Sequence, residues 1–153
     1  DDLFGKCSLR KLCIYNIGLG EVGMMKLTHI LTKEVTGDDI GCVAEVLEKL
    51  HIDSPNLGSG CCEAVALILQ RSQNLEDIKF CSGSSTNEEG DILTLALDRS
   101  FADRQNDLLT KLDISRNHLQ SETSRDSLCQ ALQAMNHLTH LNLHQITALY
   151  LRI

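Results

Sequence analysis

The chain has 153 residues, with 21 acidic side chains against 14 basic ones and a formal charge of -7. Its hydrophobic content of 42% supports a packed core and excludes disorder, while the acid excess and the lack of a Lys/Arg cluster argue against nucleic acid as a partner. No apolar run reaches the 18 residues a membrane span needs, the longest being Ala64 to Leu69, so insertion into a bilayer is excluded for these residues.

The start, Asp1-Asp2-Leu3, shows no charged n-region followed by an apolar stretch, and no secretory signal is expected. Seven cysteines (Cys7, Cys13, Cys42, Cys61, Cys62, Cys81 and Cys129) are an odd number at irregular spacing. Reduced thiols and a cytoplasmic location are therefore expected.

Leucine supplies about one residue in six, which points to a leucine-based repeat. The spacing L-x-x-L-x-L recurs five times. In chain order the copies are Leu9-Arg-Lys-Leu12-Cys-Ile14, Leu47-Glu-Lys-Leu50-His-Ile52, Leu75-Glu-Asp-Ile78-Lys-Phe80, Leu109-Thr-Lys-Leu112-Asp-Ile114 and Leu138-Thr-His-Leu141-Asn-Leu143. Period-2 alternation inside each copy predicts a short strand with its fixed apolar residues on one face and its variable residues on the other. The second apolar positions lie 38, 28, 34 and 29 residues apart. Those intervals fit a strand and a helix per copy, two of them with one or two extra turns of chain.

Between the copies the period becomes helical. Val22 to Val35 carries Met25, Leu27, Ile30 and Leu31 as its apolar set. After Leu57 and Gly58-Ser59-Gly60, the residues Ala64, Leu67 and Ile68 predict a helix of about three turns. Asp91 to Phe101 repeats the theme. Thr123 to Asp126 resembles a capping box ahead of Leu128, Ala131, Leu132 and Met135. The stretches Thr36 to Gly41 and Ser82 to Gly90 are expected to be loops.

The fourth copy continues as Ser115-Arg116-Asn117-His118-Leu119, completing the pattern L-x-x-L-x-L-x-x-N-x-L. These residues resemble the ribonuclease-inhibitor-like leucine-rich repeats. The helix entries Leu19-Gly20-Glu-Val-Gly23 and Leu57-Gly58-Ser-Gly60 are similar to a step found in that class and in the C-terminal sensor arrays of nucleotide-binding, leucine-rich-repeat (NOD-like) innate immune receptors. The resemblance implies an α/β horseshoe-shaped solenoid of about five repeats, with parallel strands on the concave face and helices on the convex face. Residues 1–153 then form a single leucine-rich-repeat domain, expected to be a fragment of a longer array. Only the fourth copy has the asparagine. Ile17, Pro55, Gly83 and Ile146 stand at that step elsewhere, which predicts interrupted stacking at the third copy and at the end.

A strand and helix unit cannot bury its apolar face alone and needs neighbours on both sides. Leu3 and Phe4 at one end, and Leu149-Tyr-Leu151-Arg-Ile153 at the other, offer no polar cap. Self-association through uncapped ends is accordingly expected if the array is no longer than this.

Gly18-Leu-Gly20-Glu-Val-Gly23 also fits the G-x-G-x-x-G of a dinucleotide-binding turn, with Asp38 and Asp39 as the acidic residues. A parallel strand is required between that helix and those aspartates, and Glu34-Val-Thr-Gly does not supply one. His137, His140 and His144 lie around a strand, on which residues four apart are about 13 Å apart and cannot share an ion. Cys61-Cys62 is not a C-x-x-C pair, and it reads as a small helix-start filler facing the core. No nucleophile elbow, phosphate loop or H-E-x-x-H is present. No cofactor, metal or catalytic residue is expected.

What remains is the row of variable strand residues: Lys11, Cys13 and Tyr15, then Lys49, His51 and Asp53, then Asp77, Lys79 and Cys81, then Lys111, Asp113, Ser115 and Arg116, then His140, Asn142 and His144. On the concave side of a solenoid they form one mixed surface suited to a protein ligand, with Tyr15 and Arg116 as anchors. The resemblance implies a non-catalytic ligand-sensing or autoinhibitory module of an intracellular receptor. The alternatives are a cytosolic inhibitor or scaffold like ribonuclease inhibitor or a GTPase regulator, and, from another class, a dinucleotide-dependent oxidoreductase.

Overall fold

A computed structural model describes residues 9–33, 42–55, 57, 60–83, 86–102 and 108–146. Its elements are β1 (Lys11–Tyr15), α1 (Gly20–Thr32), α2 (Val43–Val46), β2 (Lys49–Asp53), α3 (Cys61–Arg71), β3 (Asp77–Cys81), α4 (Asn87–Ala102), β4 (Lys111–Asp113), α5 (Glu122–Ala134) and β5 (His140–Asn142). The five strands form one all-parallel sheet in the order β1-β2-β3-β4-β5. Residues 1–8, with Leu3, Phe4 and Cys7, lie outside the described residues. So do 34–41, with Asp38 and Asp39, as well as Gly58, Ser59 and the tail from 147.

Each of the five aligned segments is a strand, and their equivalent positions are neighbours in space. Leu12 faces Leu50, Leu50 faces Ile78, Ile78 faces Leu112, and Leu112 faces Leu141. Ile14, Ile52 and Phe80 form a second apolar rung. The same pair of hydrogen bonds opens β2, β3, β4 and β5. The amides of Glu48 and Lys49 reach the Arg10 carbonyl at 2.8 and 3.0 Å, those of Glu76 and Asp77 reach Glu48 at 2.8 and 3.2 Å, those of Thr110 and Lys111 reach Glu76 at 2.9 and 3.1 Å, and those of Thr139 and His140 reach Thr110 at 2.9 and 3.0 Å. The chain therefore enters each new strand in one geometry.

The apolar rungs face the helices. Leu50, Ile52, Ile78, Phe80, Leu112 and Ile114 are buried with Met24, Leu31, Cys61, Ala64, Ile68, Leu93, Leu97, Leu128 and Ala131 in a single core. Burial of side chains of this size is worth about 1.5–3 kcal/mol each, which supplies the main drive for the layering. Consecutive long helices pack on one another, α1 on α3, α3 on α4 and α4 on α5.

Several local expectations are corrected. The buried stripe of α1 is Met24, Thr28 and Leu31, while Met25 and Ile30 are exposed. Thr28 is what hides this stripe from a hydrophobicity reading, since its hydroxyl is buried by donating to the Ala64 carbonyl at 3.3 Å. Leu67 of α3 is likewise exposed, and Cys61, Cys62, Val65 and Leu69 join Ala64 and Ile68 inside. The stretch from Ser82 to Gly90 is not a loop throughout, because α4 begins at Asn87. Thr86 and Glu89 form its capping box, with Glu89 Oε2 accepting from the Thr86 amide at 2.7 Å and Thr86 Oγ1 accepting from the Glu89 amide at 3.3 Å. The cap of α5 is Ser121 rather than Thr123, its Oγ accepting from the Ser124 amide at 2.9 Å. Asp91 of α4 accepts from the hydroxyls of both serines and ties the two helices together. The short helix α2 and the long α4 take up residues of the 38- and 34-residue intervals.

Stacking continues through the third copy, contrary to expectation, with β3 paired along five residues to β2. Asn117 explains how. Its side chain is buried and donates to the carbonyls of Phe80 at 2.7 Å, Ile114 at 2.8 Å and Ser115 at 3.3 Å. Its Oδ1 accepts from Ser82, the hydroxyl at 2.9 Å and the amide at 3.3 Å. One amide thus satisfies the turns of two successive strands, and the third needs only a serine in return. Asn16, Arg116 and Gln145 follow their strands at the same step with φ of 52, 60 and 57°. Their left-handed backbone turns the chain away from the sheet.

Replacing Asn117 by Ala leaves three buried carbonyls and the Ser82 donors short of partners. A loss of about 3 kcal/mol is expected, since each stranded buried group costs roughly 1–3 kcal/mol before relaxation. Urea unfolding followed by circular dichroism measures it, and an unchanged midpoint would show that the amide is not what clamps the turns.

Candidate partner-binding face

The pleat that buries the apolar rungs turns the alternate side chains to the other side of the sheet. Across the strand starts the row reads Lys11, Lys49, Asp77, Lys111 and His140, and the next reads Cys13, His51, Lys79, Asp113 and Asn142. Tyr15, Asp53 and Cys81 form a third row at the strand ends. The sixteen residues expected to form one surface fall on these rows or, for Ser115, Arg116 and His144, in the turns that follow. Cys81 and Ser115 are buried against each other, Sγ to Oγ 3.4 Å, and present nothing to a partner.

Two networks organise the centre of the face. In the first, His51 Nε2 lies 2.7 Å from Asp77 Oδ1 and its Nδ1 lies 2.8 Å from the Tyr15 hydroxyl. An ionised carboxylate only accepts, so a neutral His51 donates from Nε2 and accepts the Tyr15 proton at Nδ1. Lys49 Nζ holds the second oxygen of Asp77 at 3.1 Å. Burial pushes the Asp77 carboxyl up, but hydrogen bonds from His51 and Lys49 outweigh it and leave the group below its ordinary value. Burial and hydrogen bonding with Cys13 push the Tyr15 phenol up.

In the second network Lys79 Nζ lies 2.7 Å from Asp53 Oδ2 and 3.9 Å from Asp113 Oδ2, and 5.9 Å from the centre of the Tyr15 ring. The hydrogen bond to Asp53 raises the Lys79 ammonium above its usual range. Arg116 reaches back from the turn after β4 to the other oxygen of Asp53. Asp113 is pushed up by burial and pulled down further by the hydroxyl and amide of Ser115, the amide at 3.0 Å from Oδ1, so its net direction is downward. An isolated exposed ion pair contributes only about 0.2–1 kcal/mol. Here each carboxylate orders more than one donor, so the side chains hold one arrangement before any partner arrives.

Between Tyr15, His51 and Lys79 on one side and Lys111, His140 and Asn142 on the other lies a groove of about 640 Å³. Its rim includes Thr139, which the sequence reading did not single out. The signal was present, because Thr110 and Thr139 occupy the same step of the fourth and fifth copies and both donate to the backbone of the preceding strand entry, at 3.0 Å. Tyr15 is about half exposed (47%), as an anchor requires, and Arg116 is exposed although engaged with Asp53.

The strand order runs without a reversal, so the crevice at which dinucleotide folds bind their cofactor has no counterpart in this sheet. Among the described residues no three His, Cys, Asp or Glu side chains are placed to hold a metal ion, and His140 and His144 are exposed. Cys61 and Cys62 both sit in the core, where hydrogen bonding with Cys61 and burial push the Cys62 thiol up. The described cysteines form no disulfide. No described helix is long and apolar enough to cross a membrane. Compared with known proteins, the chain matches no family model and no curated entry.

Asp77 and Asp113 both bind protons more weakly in the folded chain than their ordinary value of 3.8. Groups depressed in this way stabilise the fold above that value, and the contribution disappears as pH falls through their folded values. Stability is therefore expected to be flat near neutrality and to drop below about pH 4. Asp77→Asn should shallow that drop while lowering stability at neutral pH, as read from urea midpoints at several pH values. An identical acid limb in the variant would remove Asp77 from the cause.

Proposed function

We propose that the chain is a leucine-rich-repeat segment, a horseshoe-like solenoid in which the open sheet face is the concave, ligand-binding side and the helices form the convex side. It acts as a non-catalytic protein-binding module, the ligand-sensing or autoinhibitory part of an intracellular, cytoplasmic innate immune receptor, and requires no cofactor. The observation that carries this reading is the register. Five sequence copies become five parallel strands whose equivalent residues are lateral neighbours, entered through the same pair of backbone hydrogen bonds. A unit of this kind adds surface one strand at a time and leaves the variable positions together on one face.

The content of that face supports binding rather than chemistry. Its carboxylates are held by Lys49, His51, Lys79, Arg116 and the Ser115 amide, and its aromatic Tyr15 is held half exposed by His51 and Lys79. Aromatic and arginine anchors in a pre-ordered setting are where interface energy concentrates. A scaffold or inhibitor role would use the same face. Self-association is supported by apolar groups at both margins of the sheet, Val22, Met25 and Ile30 on α1 and Leu141 on β5, all of them exposed.

The test is capture of cytosolic partners by the full chain and by a variant carrying Tyr15→Ala and Lys111→Glu, with Gln70→Glu on α3 as a control. A partner retained by the control and weakened at least about tenfold by the face variant is expected, since loss of an interface anchor costs about 2 kcal/mol or more. A partner held equally by all three would move the binding site off this face.

A further inference from the structure

The charge on the open face differs in sign from that of the chain. Lys11, Lys49, Lys79, Lys111 and Arg116 stand there against Asp53, Asp77 and Asp113, whereas the whole chain carries -7. The three carboxylates are also spoken for. Asp53 is held by Lys79 and Arg116, Asp77 by His51 and Lys49, and Asp113 by the Ser115 amide with Lys79 further off. Lys11 and Lys111 are exposed, and neither has an ion pair among the described residues. Glu48 and Glu76 stand one residue ahead of β2 and β3, outside the strands, and Arg10 holds Glu48 at 2.6 Å.

The two unpaired lysines share one row, Lys11 to Lys49 to Asp77 to Lys111. Three strand spacings separate them, about 14 Å, and four residues of extended chain span about 13 Å with side chains i and i+4 on the same side. His140 is the next member of the row. The Thr139 hydroxyl gives its only proton to the Thr110 carbonyl at 3.0 Å, so toward His140 Nδ1, at 2.8 Å, it accepts. His140 Nδ1 is therefore the donor of that contact, which fixes the ring beside Lys111.

We propose that the face binds an acidic, extended segment of a partner protein laid across the strands, with two carboxylates four residues apart, one at Lys11 and the other at Lys111, next to His140 in the row. This rests on the reading of the open face as the partner-binding side. The acid excess elsewhere does not prevent it, because at physiological ionic strength fields fall off over about 8 Å and contact is governed by the local charges.

The test is an amide-resolved NMR titration of the full chain with the peptide acetyl-Glu-Thr-Val-Thr-Glu-amide and its twin with both Glu replaced by Gln, at physiological ionic strength. The acidic peptide should perturb the amides of Lys11, Lys111 and His140, and the Gln twin should bind several-fold more weakly. Lys11→Gln and Lys111→Gln should each weaken the acidic peptide by up to about fivefold, the top of the range for an exposed pair. Equal perturbation of the face by both peptides overturns the charge-directed proposal and leaves the face as a binding surface. Perturbation confined to the outer side of α1 overturns both. No perturbation by either peptide overturns the proposal, and the binding reading is then decided by the capture experiment alone.

Discussion

The register of the parallel sheet is the constraint on which the rest of the molecule depends. Because side chains alternate with a period of two, a slip of one residue between any two strands would carry Leu50, Ile78 or Leu112 to the open side and Lys49, Asp77 or Lys111 into the core. Burying even one of those charges without a partner costs several kcal/mol, so the hydrophobic rung and the charged rows enforce the same alignment from opposite sides. The paired amides at the entries to β2, β3, β4 and β5 then repeat that alignment in the backbone. A charged surface and an apolar core are in this sense a single decision.

The turns after the strands show how little is needed to keep the pattern once the register is set. Asn117 reaches into both its own turn and the one before it, and Ser82 supplies the hydroxyl and amide that complete the exchange. After β2 the equivalent contact is lighter, with the Ser54 hydroxyl donating to the Ile17 carbonyl at 3.0 Å and its amide to the Cys81 carbonyl at 3.1 Å. Small hydroxyl side chains thus stand in for the asparagine where turns lie close together. At Gly90 the same closeness acts on a helix, since a Cβ there would stand 1.8 Å from the His118 carbonyl oxygen. The glycine is what lets α4 pass the backbone that follows Arg116 and Asn117.

The strands were legible in the sequence because each copy states the same alternation, and five statements of one pattern outweigh the ambiguity of any single short run. The rows of the open face followed directly, since period-2 geometry leaves no choice about which residues accompany Leu50 or Ile78. The helices were less legible. Their faces are set by which neighbour they pack against, and buried Thr28, Ser124 and Ser127 do not register as apolar although they face inward. Partner choice among the charges was not legible either. Strand alignment places Lys79 beside Asp113, yet its shorter contact is to Asp53, and Arg116 reaches Asp53 across an intervening strand. Such diagonal choices depend on side-chain reach, which spacing alone does not encode.

How these pairs divide the face bears on the proposed binding role. A lysine already held by a carboxylate keeps its charge but loses much of its field, so Lys49 and Lys79 act mainly to order Tyr15, His51 and the aspartates. Ordering lowers the side-chain entropy that an interface must give up, by roughly 0.5–1.5 kcal/mol for each long side chain fixed beforehand. Lys11 and Lys111, which have no ion pair among the described residues, lie at the margins of that ordered centre, one on β1 and one on β4. The centre thus offers shape and fixed hydrogen-bonding direction, while the margins offer uncompensated charge. Under the proposed binding role, a surface built in this way separates how well a ligand fits from which ligand is admitted, and substitutions in the two zones act on different terms of the binding free energy.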